Sequence, residues 1–170
     1  MRKSRFMNAT SITTLRLWSI EQVSSGEKRS KAQLRIEKAV TKHLSSLSLC
    51  NLALFVLPDI FNDSALAHIT ELDVSGNDFD DFPPSITSLS TLRSLKFNRC
   101  PFITESALIS LSTLPPSCML SFRQTIFDTT TFIDALSTLP IAYCSKEEFF
   151  NIPDVVRRFQ NLDVSSYVLK

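Results

Sequence analysis

The sequence predicts an α/β solenoid: a right-handed superhelix with short parallel strands on its concave face and a helical cap at its N-terminus. Three observations predict it. The phrase Leu-Asp-Val-Ser occurs twice, at residues 72–75 and 162–165. Apolar residues recur in one frame at intervals of 25, 23 and 25 residues, from Leu47 to Leu72 to Leu95 to Leu120. Ahead of that array, residues 27–42 carry their apolar side chains at helical spacing.

The cap is expected over residues 1–43. Ile12, Leu15, Trp18 and Ile20 suggest a short helix, and Ser24-Ser25-Gly26 a break after it. In the second helix Ala32, Ile36, Ala39 and Val40 share one face, with Lys31, Arg35, Lys38 and Lys42 elsewhere. Trp18 is read as a plug at the open end of the core; the alternative is an exposed anchor for a partner.

The repeats follow. Leu44, Leu47, Leu49, Leu52, Leu54, Leu57 and Pro58 set the frame. Ile69, Leu72, Val74, Asn77, Phe79, Phe82 and Pro83 repeat it, as do Leu92, Leu95, Phe97, Cys100 and Phe102. Leu120, Phe122, Thr125 and Phe127 give a weaker copy. All fit L-x-x-L-x-L-x-x-N/C-x-L, the leucine-rich-repeat pattern. The expected units are 44–68, 69–91, 92–116, 117–138, a degenerate 139–158 and a partial 159–170 carrying Leu162, Val164 and Leu169. The sequence stops at Lys170 inside that frame, so either the last strand is its own edge or the chain is a piece of a longer array.

Each part of a unit has a physical reason. Leu72 and Val74 alternate with Glu71, Asp73 and Ser75, the period of a strand with one buried face. At Asn77 the chain turns, and a buried amide there bonds backbone groups left without partners. Leu52 at the same position of the first unit bonds nothing, so that unit should be the least regular. Pro83 and Pro84 start the return arm, where Ile86, Leu89 and Leu92 at spacings of three suggest 3₁₀ turns. Helical arms are expected from Thr104 and over residues 127–140.

At 170 residues, 44% hydrophobic and 21% charged, the chain is long enough for one globular core. A net charge of +1 gives no electrostatic reason to expect nucleic acid or an anionic membrane as partner. No apolar run approaches the roughly 20 residues of a membrane span, and the N-terminus does not read as a cleavable signal peptide. Cys50, Cys100, Cys118 and Cys144 lie too far apart for a zinc motif and are expected as reduced, mostly buried thiols. His43 and His68, 25 residues apart, should fall in register. They are read as a repeat coincidence in preference to a metal site. Asp78, Asp80 and Asp81 are read as a solvated corner in preference to a calcium loop. No catalytic residue, metal or cofactor is expected.

What remains is the exposed side of the strands. Glu71 and Asp73 of the second unit, Arg93, Lys96, Asn98 and Arg99 of the third, and Arg123 and Gln124 of the fourth are the candidate partner-binding residues. An acidic rung beside a basic one either neutralises itself or sets partner choice.

The helical stretch from Arg29 and Ala32 into Arg35, Ile36 and Ala39, running into units that end in Leu-Pro, resembles the leucine-rich-repeat effectors that bacterial pathogens deliver into host cells. LDVSGNDFDDFP is similar to their repeats, whereas LKFNRCPFITESAL resembles the cysteine-containing subtype of F-box substrate receptors. The resemblance implies a non-catalytic module that binds a partner protein, a host protein if the chain is such an effector. It also implies location in the cytoplasm or delivery into a host cell. The alternative is the substrate-recognition part of a ubiquitin ligase whose catalytic domain this chain lacks. Oligomeric state is not legible.

Overall fold

A computed structural model describes residues 6–21, 26–78, 81–100, 113–115 and 117–121. The expected helical arms after Cys100, the degenerate unit and the second Leu-Asp-Val-Ser lie outside these residues.

Two helices come first. Helix α1 (Ala9–Ile20) begins at Asn8, whose side chain accepts a hydrogen bond from Ser11 N, as an N-cap should. Its buried residues are Ser11, Leu15, Trp18 and Ser19. Helix α2 (Arg29–Thr41) buries Ala32, Ile36, Ala39 and Val40, the face that the spacing predicts.

Four three-residue strands follow: β1 (Ser46–Ser48), β2 (Glu71–Asp73), β3 (Ser94–Lys96) and β4 (Met119–Ser121). They form one parallel sheet in sequence order. The register aligns Leu47 with Leu72, Leu72 with Leu95 and Leu95 with Leu120. The sequence frame and the backbone ladder are therefore the same object, and the chain is a leucine-rich-repeat solenoid. Between strands the chain returns through 3₁₀ helices at Ser64–Leu66 and Pro84–Ser88. The second starts after Pro83, as the proline pair and the three-residue spacing predict.

One core runs from Leu15 and Trp18 through the strand leucines to Leu120. Phe82 and Phe97 meet edge to face in it, with ring centroids 5.7 Å apart. Each aliphatic side chain so buried contributes roughly 1.5–3 kcal/mol before conformational entropy is subtracted. Leu44 departs from its frame: Ile69 and Leu92, its counterparts, are buried, while Leu44 is 39% exposed. It follows α2 directly, where no earlier rung lies over it.

Asn77 is 1% exposed and uses its whole amide. Its Oδ1 accepts from Leu52 N and Leu54 N at 3.1 Å each. Its Nδ2 donates to Leu49 O at 3.0 Å and Val74 O at 2.7 Å. The amide thus reaches back and satisfies the corner of the preceding repeat. Cys100, next in the column, makes long thiol contacts of 3.9 Å to Val74 O and Asn98 O. Burial pushes its thiol up to about 11, and that of Cys118 likewise.

The cap closes the other end of this ladder. Glu27 accepts from Phe55 N at 2.9 Å, and Lys28 N donates to Leu52 O at 2.9 Å. Glu27 and Arg29, 4% and 3% exposed, form a buried pair at 3.0 Å. Arg29 also donates to Trp18 O and Glu21 O at the end of α1, and its guanidinium lies 5.2 Å from the Trp18 ring. Trp18 is buried and bonds Val56 O through Nε1 at 3.3 Å. The indole is a plug in the end of the core, not a surface anchor. No helix among the described residues is long and apolar enough to cross a membrane.

Candidate protein-interaction face

The register lays out the outer side of the sheet in two lines. Ser46, Glu71, Ser94 and Met119 stand side by side, and so do Ser48, Asp73, Lys96 and Ser121. Neighbouring strands are about 4.8 Å apart. Asp73 and Lys96 are ladder partners, so the acidic and basic rungs adjoin. Arg93 stands one residue ahead of β3, and Ser94 takes the ladder position opposite Glu71. Arg123 and Gln124 lie outside the described residues.

Beyond the strands the face continues onto Ser75, Asn98 and Arg99. Ser75, alternating with the core by sequence, is 6% exposed because its neighbours close over it. Its amide donates to Asp73 Oδ1 at 3.0 Å and its hydroxyl accepts from Asn98 N at 3.1 Å. Asn98 Oδ1 accepts from Ser121 Oγ at 2.9 Å. The neutral residues of the face are therefore bonded to one another as a floor. Asp73 accepts from that floor, but the charges are not paired with one another: among the described residues no ion pair joins Glu71 or Asp73 to Arg93, Lys96 or Arg99.

Three corner residues share an unusual backbone. Asn51, Gly76 and Arg99 occupy one frame position, just before the Leu52–Asn77–Cys100 column. All are left-handed, with φ of 55°, 65° and 55°. Glycine and asparagine tolerate that region, whereas a longer side chain pays roughly 1 kcal/mol. A Cβ at Gly76 would run into Asn51 Oδ1, so the glycine also makes room. Ala53 is left-handed too, with φ of 50°, which makes the corner of the first repeat the irregular one. A column alignment of the three corners is the sequence signal that marks Arg99 as the odd member.

The two histidines of the chain are stacked, with centroids 4.0 Å apart and planes at 21°. Their 25-residue spacing is one repeat, and the parallel register brings it together. His68 Nε2 lies 3.3 Å from Ala39 O in the last turns of α2. Burial first, and the neighbouring His43 second, hold His68 below its ordinary 6.5. Parallel rings aim their in-plane lone pairs side by side, which is poor geometry for one ion, and no group of three or more metal-ligating residues occurs among the described residues. Asp78 is exposed, and Asp81 accepts from its neighbour Phe82 N.

No family model and no curated protein sequence matches the chain. Thirteen chains of solved structures match it, two of them as follows. One is the leucine-rich-repeat domain of a Shigella effector, 17% identical, with 72% of this chain and 67% of that one covered and a TM-score of 0.40. The other is YopM from Yersinia enterocolitica WA-314, 17% identical, with 74% of this chain and 34% of that one covered and a TM-score of 0.38. The chain spans about a third of YopM. The fold assignment rests on this chain's own ladder and frame.

Proposed function

We propose that the chain is a non-catalytic interaction module that captures a partner protein on the outer side of its parallel sheet, as a leucine-rich-repeat effector acting on a host protein. One observation carries the reading. Ser75, Asn98 and Ser121 are hydrogen-bonded to each other, while among the described residues the carboxylates and cations of the face stand next to each other without pairing. Mutual neutralisation would leave nothing for a partner; unspent charge on a rigid floor supplies orientation and association rate. The effector role draws on the resemblance of the cap and the Leu-Pro repeats.

Site-specific photo-crosslinking tests the reading. A photoreactive residue at Ser46 or Met119, on the face, should yield one discrete adduct in host-cell lysate. The same residue at Asn62 or Ser88, exposed on the return arms, should yield none. Equal labelling from both sides would remove the face from the argument.

A further inference from the structure

We infer that the third repeat carries the specificity of this face: Lys96 on β3 and Arg99 at its left-handed corner form a two-cation seat for an acidic peptide segment of the partner. The inference rests on the interaction reading above and adds the chemistry of what is bound.

The backbone argument comes first. The fold asks only for a residue that accepts positive φ at this corner, and at the two equivalent corners it has Asn51 and Gly76. Arginine satisfies the fold less well than either, so its presence needs a reason outside the fold. Arg99 is exposed, and no hydrogen bond or ion pair occupies its guanidinium among the described residues. Among the described residues, folding therefore gains no contact from the side chain that strains this corner.

The surroundings say what the side chain is for. Lys96, three residues earlier, is also exposed and makes no ion pair among the described residues. Between them Asn98 is fixed from both sides, its amide on Ser75 Oγ at 3.1 Å and its Oδ1 under Ser121 Oγ at 2.9 Å. Two cations thus rise from a neutral floor that has already lost its freedom, which lowers the ordering cost of binding. Carboxylates match this seat, and the arginine fork can hold one in two hydrogen bonds. Glu71 and Asp73 on the adjacent strand repel the same segment, so it is confined to the third-repeat side and cannot slide across the sheet. Attraction on one rung and repulsion on the next give the seat a direction.

The test uses the full chain and a fluorescein-labelled hexaglutamate peptide, read by anisotropy, with hexalysine as the second probe. Hexaglutamate should bind with an affinity that falls as salt rises, and Lys96→Gln or Arg99→Gly should each weaken it roughly five- to tenfold. Arg99→Gly should at the same time raise the thermal midpoint, because glycine relieves the left-handed corner. Lower affinity with higher stability separates a binding residue from a structural one, and Arg99→Lys, which keeps the charge but loses the fork, should bind better than Arg99→Gly and less well than the arginine. Unchanged hexaglutamate affinity in Arg99→Gly overturns the seat. Hexalysine binding that depends on Glu71 and Asp73, with none of hexaglutamate, also overturns it and leaves the interaction reading standing. Binding of neither peptide removes both.

Discussion

Replacing Asn77 by alanine should be the most damaging single polar substitution in the solenoid. The side chain is 1% exposed and holds four backbone groups: Leu52 N, Leu54 N, Leu49 O and Val74 O. Alanine leaves all four in a dry corner. Each orphaned buried group costs roughly 1–3 kcal/mol, so even the low end of that range sums to about 4 kcal/mol. A small domain has only about 5–15 kcal/mol in total. Urea unfolding followed by circular dichroism and by Trp18 fluorescence gives the comparison, since the indole reports the cap and the dichroism the whole chain. The midpoint should collapse in both signals, whereas Asn62→Ala, on the surface, should leave it in place. Asn77→Asp should rescue little, because a carboxylate cannot donate and would face Leu49 O and Val74 O. A loss of less than about 1 kcal/mol for Asn77→Ala would show that water or relaxed backbone replaces the amide, and the ladder argument would fall.

Two further outcomes follow from titratable groups. The unfolded chain protonates His68 near 6.5 and the folded chain only at lower pH, so the contribution of His68 is whole above 6.5 and is lost as pH falls through its folded value. Unfolding midpoints measured from pH 8 to pH 5 should therefore drop on acidification, and His68→Gln should flatten the drop. Thiol labelling at pH 8 should modify Cys50, half-exposed, and spare Cys100 and Cys118, which are covered and pushed up to about 11. In a Cys144→Ser background this gives one fast thiol in the folded chain and three in urea; fast reaction of Cys100 would contradict its burial.

The strands and their register were legible because two periods constrain them at once. Alternation fixes which side chains of β2 are inside, and the interval from Leu47 to Leu72 to Leu95 to Leu120 fixes which residues are neighbours. The stacked histidines follow from the same interval. The candidate face was half legible. Parity places Glu71, Asp73 and Lys96 outside, but parity alone also exposes Ser75, which a neighbouring amide and hydroxyl cover. The interval already pairs Ser94, one residue before Leu95, with Glu71, one before Leu72, and so leaves Arg93 ahead of the ladder. The strain at Arg99 is invisible in any single repeat and emerges only when the three corners are read as a column.

The least legible feature is the cap, and its chemistry follows from the repeats themselves. In this array the polar groups of a corner are satisfied by the next repeat, as Asn77 does for the first. A corner also has groups facing the other way, and at the N-terminal end no earlier repeat exists to meet them. The cap supplies what that repeat would: the Glu27 carboxylate takes Phe55 N, and Lys28 N takes Leu52 O. A carboxylate that deep must be countered, so Arg29 lies against it. The same guanidinium then donates from Nη1 to Trp18 O and Glu21 O, which fixes the end of α1 to the start of α2, while its Nη2 is buried without an acceptor among the described residues. The buried Glu27–Arg29 pair is thus a consequence of ending a hydrogen-bonded stack, and the apolar lid of Trp18 and Ile36 is held in place by it.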